Sequence, residues 1–257
     1  MAQVQILYVA TANGLHQFAN PGKSDRWRPV GEALNGEDVR AVVAAFDDPL
    51  TAYAGSGAGV AQTTDGGASW TTILKRAVTA LAITSSGSLH AATADGALLR
   101  MQYGPSWEEV TRGSEPLLAL SVAHGEQVSG GQRPAVSLGD TDQLYTTTET
   151  GLSLPDGALP LDPPPTGALV LLPAQTPTLL VATQGSVMFS DDGGHTLQSS
   201  AGPQDVQVLV TPARFQDFAY AGTASGELWL TKDRGRSWTQ LHAGLPPVRA
   251  LSFARVM

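Results

Sequence analysis

The sequence predicts an all-β protein, a six-bladed β-propeller of four-stranded antiparallel blades, and three repeated features lead to this prediction. An eight-residue motif returns along the chain at intervals of about 40 residues. A β-branched or aromatic run that ends in turn residues comes before the motif, and a short apolar run begins each repeat. A repeat of this length and composition is typical of one four-stranded propeller blade.

The motif, T-x-D-x-G-x-S-W with Ser also allowed at its first position and Thr at its seventh, has three close copies and two weaker ones. In order of similarity the copies are residues 63–70, 231–238, 190–197, 100–107 and 147–154. The third of these lacks only the final Trp. Counted together with Trp27, the last positions of the copies are 43, 37, 47, 43 and 41 residues apart, which sets the length of the repeat.

Two further sets of runs give the remaining strands. Runs that end in hairpin residues such as Asn13-Gly14 or Asp95-Gly96 predict the second strands and the turns that follow them: 7–11, 51–55, 89–93, 134–138, 179–183 and 218–222. Small and apolar runs in one shared register predict the innermost first strands: 39–42, 78–81, 117–120, 166–169, 206–209 and 248–251.

The strand order also predicts how the chain closes. The N-terminal blade lacks a first strand, whereas residues 248–256 are a first strand with nothing after it. Pairing of this C-terminal strand with the N-terminal blade closes the ring and covers two exposed edges. We expect a single propeller domain, 1–257, with blades at approximately 1–36 plus 246–257, 37–76, 77–114, 115–160, 161–203 and 204–245. The two long loops, 124–134 and 154–165, both fall in the fourth blade.

The composition limits the classes of partner. A net charge of −8 argues against nucleic acid and anionic membranes, since both need a basic face. The absence of cysteine excludes disulfides, thiolate metal sites and thiol catalysis. No apolar run approaches a membrane span, so we expect no membrane insertion. The N-terminus lacks a signal-peptide pattern, which predicts a cytoplasmic location if the chain is full length and leaves the location unknown if a signal peptide was trimmed. We expect the protein to be a monomer.

Each residue type of the motif has a structural task in a tight turn between the third and fourth strands. The Asp accepts backbone N–H groups, the Gly adopts a conformation that other residues resist, and the Trp buries a large surface between layers. We assign this structural role to Asp65, Gly67, Trp70, Asp192, Gly194, Asp233, Gly235 and Trp238. The alternative, in which the Asp residues bind a cation or act as acids, stays open.

The motif resembles the Asp-box, also called the bacterial neuraminidase repeat. Its copies cover nearly the whole chain, and the resemblance implies a propeller fold. The family includes sialidases, xyloglucan-cleaving glycosidases, sortilin-type receptors and photosystem II assembly factors. In all of these the box is structural, so the resemblance implies no activity. The compact chain is most similar to the assembly-factor branch, although those factors resemble seven-bladed rings and this chain predicts six.

A search for enzyme chemistry finds no catalytic set. Sialidases share an F/Y-R-I-P motif, and the nearest segment here, Trp27-Arg28-Pro29, lacks one residue of it. Glu108 and Glu109 are neighbours on a predicted strand and point to opposite faces, so they cannot form an acid/base pair. The five histidines have no metal-ligand spacing, and no G-x-S-x-G or P-loop is present. We predict no catalytic residues, metal or cofactor.

Two arginines are the candidate ligand-binding residues. Arg40 and Arg249 occupy the same first-strand position in neighbouring blades, where the other blades have Thr79, Leu118, Gly167 and Gln207. Two adjacent guanidiniums in an acidic protein can hold a carboxylate or an acidic peptide end. The alternative is that each arginine pairs with a nearby Asp or Glu and only helps to close the ring.

The sequence therefore favours a non-enzymatic scaffold that binds a protein or peptide partner, similar to an assembly factor. The alternative is a glycan-binding or glycoside-hydrolysing propeller, which would need aromatic platforms and paired carboxylates facing the channel. A thermal-stabilisation screen of sugars and small anions separates the two hypotheses.

Overall fold

The structure, a computed structural model, describes residues 4–21, 26–101, 104, 106–123, 127–131, 135–136, 145–174, 176–212 and 216–256. All regular secondary structure in these residues is β-strand, in agreement with the predicted all-β class. The chain separates into two compact units, Met1–Gln132 with Arg249–Met257, and Arg133–Val248.

The first unit contains three four-stranded antiparallel sheets and one hairpin. Sheet 1 has the order β26-β1-β2-β3 and consists of β1 (Val4–Thr11), β2 (Gly14–Asn20), β3 (Arg28–Ala33) and β26 (Val248–Val256). Sheet 2 consists of β4 (Val39–Ala44), β5 (Ala52–Ser56), β6 (Gly59–Thr63) and β7 (Thr71–Leu74). Sheet 3 consists of β8 (Val78–Ile83), β9 (Leu89–Thr93), β10 (Ala97–Met101) and β11 (Glu108–Arg112). Sheet 4 is the hairpin of β12 (Ala119–Ala123) and β13 (Gln127–Gly131).

The second unit contains three four-stranded antiparallel sheets. Sheet 5 consists of β14 (Ala135–Val136), β15 (Tyr145–Thr147), β16 (Gly151–Leu154) and β17 (Gly157–Pro160). Sheet 6 consists of β18 (Pro165–Leu172), β19 (Thr178–Thr183), β20 (Val187–Ser190) and β21 (Gln198–Ser199). Sheet 7 consists of β22 (Val206–Val210), β23 (Ala219–Thr223), β24 (Leu228–Thr231) and β25 (Thr239–His242).

Burial follows the position of a strand within its sheet. The second strands β5, β9, β19 and β23 are buried along their whole length, because both of their faces are covered and alternation of polar and apolar residues is not required. The fourth strand β11 is exposed along its whole length. One apolar cluster joins Tyr8 of sheet 1 to Val42 of sheet 2, and another joins Leu180 of sheet 6 to Val206 of sheet 7. Sheets 1 and 2 therefore share a core, as do sheets 6 and 7.

Most of the predicted strands are present. The six predicted first strands correspond to β4, β8, β12, β18, β22 and β26, and five of the six predicted second strands correspond to β1, β5, β9, β19 and β23. The sixth, 134–138, lies outside the described residues except for β14. β26 lies beside β1 in sheet 1, so the C-terminal strand supplies the first strand of the N-terminal sheet.

The segment 115–160 differs from the single blade predicted for it, because it contains two sheets. β12, a predicted first strand, pairs with β13, which lies in the predicted long loop 124–134, and β14 to β17 form a sheet of their own. The weak motif copy at 147–154 is a hairpin between β15 and β16, closed by the Thr148 N–H to Gly151 carbonyl bond of 2.7 Å. Glu149 replaces the motif Asp there, and the Thr147 hydroxyl has no partner in the described residues, so the motif turn does not form.

Candidate functional site

The Asp of the motif organises its turn through local hydrogen bonds. In residues 63–70, Asp65 Oδ1 accepts the Thr63 hydroxyl at 2.7 Å and the Ser69 backbone N–H at 2.9 Å. Its Oδ2 accepts the Ser69 hydroxyl at 2.6 Å. Thr63 Oγ1 accepts the backbone N–H of Gly67 at 2.8 Å. These bonds satisfy polar groups that the turn cannot pair within the sheet.

The other two close copies form the same bonds. In residues 190–197, Asp192 Oδ1 accepts the Ser190 hydroxyl at 2.6 Å and the Thr196 backbone N–H at 2.9 Å. The Ser190 hydroxyl oxygen accepts the backbone N–H of Gly194 at 2.8 Å. In residues 231–238 the same three distances are 2.8, 2.9 and 2.9 Å. A second hydroxyl also donates to Oδ2 in both copies. The repeated sequence pattern therefore corresponds to one repeated hydrogen-bonded turn.

Hydrogen bonds that donate to a carboxylate favour its charged form and lower its pKa. The bonds from Ser69 lower the pKa of Asp65 to about 2. The pKa of Asp192 also lies well below its ordinary value, and the bond from Ser190 is the largest cause. Burial acts to raise the pKa of Asp233, but the donors of its turn lower it overall. Side chains that stay ionised in this way are poor general acids, which fits a structural role.

The motif glycines lie where a side chain would collide with the preceding sheet. Gly67, Gly194 and Gly235 have φ values of +95°, +101° and +86°, which disfavour any other residue. A Cβ on Gly67 would lie 2.0 Å from Gln17 Nε2, and a Cβ on Gly235 would lie 2.5 Å from Leu180 Cδ2. On Gly194 it would lie 2.8 Å from a leucine of β16. These glycines therefore allow each motif turn to approach the neighbouring sheet.

The tryptophans of the motif also pack against the preceding sheet. Trp70 of sheet 2 meets Tyr8 of sheet 1 edge to face, with ring centroids 6.1 Å apart. Trp107 of sheet 3 donates its indole N–H to the Ile73 carbonyl of sheet 2 at 3.3 Å. Trp238 of sheet 7 packs against the cluster that sheets 6 and 7 share. The motif thus joins neighbouring sheets as well as forming a turn.

Arg234 adds hydrogen bonds to the contact between sheets 6 and 7. It has a φ of +61° at a motif position where the other close copies have Gly66 and Gly193. Its side chain is only 17% exposed, and its guanidinium donates to Asp217 at 2.7 Å and to the Thr178 hydroxyl at 2.8 Å. Because Thr178 begins β19, Arg234 ties sheet 7 to sheet 6. These bonds offset a left-handed backbone that costs roughly 1–2 kcal/mol for a residue other than glycine.

A β-bulge recurs near the start of the first strand in sheets 2, 3 and 7. The pairing register shifts by one residue at this point, and the extra residue has no ladder partner, so its side chain can leave the sheet. The bulged residues are Arg40, Thr79 and Gln207. They occupy the first-strand position that the sequence alignment equated with Arg249.

Side chains at this position reach the beginning of the next sheet. The Thr79 hydroxyl of sheet 3 donates to the Leu117 carbonyl at 2.6 Å, just before β12. The Thr166 hydroxyl of sheet 6 donates to the Val206 carbonyl of sheet 7 at 2.7 Å. These matching bonds show that Thr166 takes this position in sheet 6, one residue earlier than the Gly167 of the sequence alignment.

Arg40 and Arg249 meet at a single carboxylate. Arg249 Nε on β26 donates to Asp38 Oδ1 at 3.2 Å, and Arg40 Nε on β4 donates to Asp38 Oδ2 at 3.0 Å. The side chains of Arg249 and Arg40 are 44% and 50% exposed, and that of Asp38 is 37% exposed. The terminal Nη amines of both arginines have no hydrogen-bond partner in the described part of the chain. The cluster of these three residues, the Asp38 cluster, therefore has a net charge of +1.

Sequence reasoning identified both arginines but not the carboxylate that they share. The pairing of Arg249 with Asp38 joins positions 211 residues apart, and no local pattern marks it. A signal did exist, because Asp38 lies two residues before Arg40, at a distance where a side chain can fold back along the strand.

Other charged groups form ion pairs in sheet 3. Glu108 pairs with Arg100, whereas Glu109 Oε1 accepts from Arg112 Nε at 2.8 Å, so the adjacent carboxylates engage different arginines. The bond from Arg112 lowers the pKa of Glu109. Among the residues that the structure describes, no three His, Asp or Glu side chains are placed to hold a metal ion, and no helix could span a membrane.

Comparisons with known proteins show the fold. No family model and no curated protein matches this chain. A chain of the crystal structure of the nidogen/laminin complex is similar over 97% of this chain and 98% of its own, with a TM-score of 0.63 and 11% identity. A chain of the mitotic checkpoint complex is similar over 82% of this chain and 79% of its own, with a TM-score of 0.60 and 12% identity. Both of these chains are β-propellers, so the similarity shows that this chain has a β-propeller fold.

Proposed function

We propose that this protein is a non-enzymatic β-propeller that binds a protein or peptide partner through a carboxylate held by Arg40 and Arg249. The main support for this proposal is that the two guanidinium groups, from adjacent sheets, already bind one carboxylate. Each arginine uses only its Nε to bind one oxygen of Asp38. Their Nη amines form no hydrogen bond with another group among the described residues. Arginine Nη amines that have no other partner can bind a ligand carboxylate in a planar, bidentate arrangement.

The comparisons support a protein partner in general terms. Both similar propeller chains with TM-scores of 0.60 or more come from structures of protein complexes. A rigid propeller offers a broad face for such partners, and the motif turns that join neighbouring sheets here favour rigidity.

We also propose that the chain is an Asp-box propeller with six complete blades, formed by the six four-stranded sheets, and that β26 closes the ring beside β1. Three observations support this proposal: the motif turns have one bonding pattern, each complete blade has four strands, and the C-terminal strand lies in sheet 1. The β12–β13 hairpin is then an incomplete, additional blade element.

Affinity capture tests the proposed function. The wild-type protein and the Arg40→Ala/Arg249→Ala variant are immobilised, incubated with native lysate and analysed by mass spectrometry. An Arg28→Ala/Arg100→Ala variant is the control, because it also removes two arginines of the first unit, from β3 and β10. We expect one or more proteins to be retained by the wild type and the control and to be lost from the Arg40/Arg249 variant.

Equal capture by all three proteins would overturn the assignment to Arg40 and Arg249. Stabilisation of the wild type by a sugar, retained in the Arg40/Arg249 variant, would instead favour the glycan hypothesis.

A further inference from the structure

We infer that Asp38 tunes the charge preference of the site: its negative charge weakens the binding of doubly charged phosphoryl groups more than that of singly charged carboxylates. This inference rests on the proposed function, because it assumes that Arg40 and Arg249 bind an anion. In this inference Arg40 and Arg249 attract the ligand, whereas Asp38 repels it in proportion to the ligand's charge.

The first step is the geometry of Asp38. One oxygen faces Arg249 and the other faces Arg40, at 3.2 and 3.0 Å, so Asp38 occupies the position that a bridging ligand carboxylate would prefer. An incoming anion must bind through the remaining Nη amines, beside a fixed negative charge. Asp38 is thus a permanent neighbour of any ligand at this site.

The second step is the charge balance. The Asp38 cluster carries +1, so a single carboxylate neutralises it, whereas a dianion leaves an excess of −1 in a protein of net charge −8. Repulsion between Asp38 and the ligand grows in proportion to the ligand charge. A dianion therefore experiences twice the repulsion of a carboxylate.

The third step is the orientation of Arg40. Thr79 and Thr166 extend forward to the next sheet, as Arg249 does, whereas Arg40 turns back to Asp38 of its own sheet, in the same direction as Gln207 turns back to the Asp205 carbonyl. Arg40 and Arg249 therefore approach Asp38 from opposite directions, and an anion that binds either of them lies close to its charge.

Nuclear magnetic resonance of the arginine Nε–H groups tests this inference. Acetate and methyl phosphate are titrated at about pH 7.5, where a phosphate monoester is mostly dianionic, and at constant ionic strength. The Arg40 and Arg249 signals are assigned from Arg40→Lys and Arg249→Lys. The proteins compared are the wild type, Asp38→Asn, and Asp205→Asn, which removes a charge two residues before Gln207 in sheet 7, where no arginine pairs with it among the described residues.

We expect Asp38→Asn to strengthen acetate binding about fivefold and methyl phosphate binding about 25-fold, because each ligand charge loses one close repulsion. Asp205→Asn should change either affinity by less than about twofold, since distant exposed charges are screened. An equal gain for both anions, no gain, or a loss would overturn the inference while leaving the arginines as an anion site. If neither anion shifts either arginine signal in any of the proteins, the proposed function fails as well.

Discussion

Motif glycines in this protein meet two separate demands, a left-handed backbone and close contact with another sheet. The effect of the backbone can be separated from that of close contact by comparing Gly235 with Gly244, which lies outside the motif. Their φ values are nearly equal, +86° and +87°. A Cβ on Gly235 would lie 2.5 Å from Leu180, whereas a Cβ on Gly244 would have nothing within 4 Å. Substitution at these two positions therefore differs only in crowding.

We predict that Gly235→Ala destabilises the protein more than Gly244→Ala. The backbone conformation alone costs roughly 1–2 kcal/mol at either position, and overpacking against Leu180 adds about 1–3 kcal/mol at Gly235. Urea denaturation of both variants measures the difference. Equal losses of unfolding free energy would show that the contact with Leu180 relaxes without cost.

Asp65 makes the stability of its turn dependent on acid. Its pKa of about 2 in the folded protein lies below the value of about 3.9 for an unfolded chain. The unfolded state therefore binds the proton first, and the stabilisation is present above about pH 4 and disappears as the pH falls towards 2. Asp47, which is exposed, offers a comparison in the same sheet-2 region.

We predict that Asp65→Asn is less stable than the wild type at neutral pH and that this difference narrows steadily below about pH 4 and becomes small near pH 2, where the Asp65 carboxylate of the folded wild type begins to be protonated. Chemical denaturation at a series of pH values measures the difference. Asp47→Asn should track the wild type throughout the series. A gap that stays constant down to pH 2 would contradict a charged role for Asp65.

β26 is the strand whose position matters most for the first unit. It lies beside β1, buries Leu251 and Ala254, and sets Phe253 edge to face with Trp27 at 6.2 Å. Without it, β1 would present a row of unpaired backbone groups, and such an edge is prone to aggregation.

We predict that deletion of residues 248–257 gives a protein that aggregates, and that a synthetic peptide of the same residues restores solubility when it is added during refolding. Size-exclusion chromatography measures the monomer fraction. Deletion of 255–257 alone is the control, because it keeps all three of the packed side chains. A soluble, compact protein without 248–257 would show that another segment covers β1.

Sheets 4 and 5 show how much a strand assignment depends on its partner. The sequence predicts strands at the runs that form β12 and β14, but it predicts them in one blade, 115–160, with a motif turn at 147–154. The decisive differences are small: Glu149 in place of Asp, and a hairpin bond between Thr148 and Gly151. A turn of either type fits that sequence, and only the pairing of β15 with β16 distinguishes them.

The charge of the protein and the charge of its candidate site have opposite signs. The chain carries −8, whereas the Asp38 cluster carries +1. At low salt the Debye length is long, so the net charge repels an acidic ligand well before contact, whereas at contact the arginines attract it. Salt screens the distant repulsion more than the close attraction.

We predict that the association rate of an acidic peptide increases as the ionic strength is raised from about 10 mM to about 150 mM, the reverse of an electrostatically steered pair. Stopped-flow fluorescence with a labelled acidic peptide measures the rate. A basic peptide serves as the comparison and should associate more slowly as salt is added. An acidic peptide whose association slows with salt would show that the local field of the arginines dominates at all distances.

The sequence by itself determined the all-β class, the repeat, the first and second strands, and the residues of the motif turns. These features depend on contacts between residues only a few positions apart, so eight residues suffice to specify the bonds around Asp65. The tertiary structure alone decided that 115–160 forms two sheets and that Arg40 and Arg249 share Asp38. Strand pairing and the Arg249–Asp38 bond depend on which distant segments fold side by side, and a linear pattern does not encode that proximity.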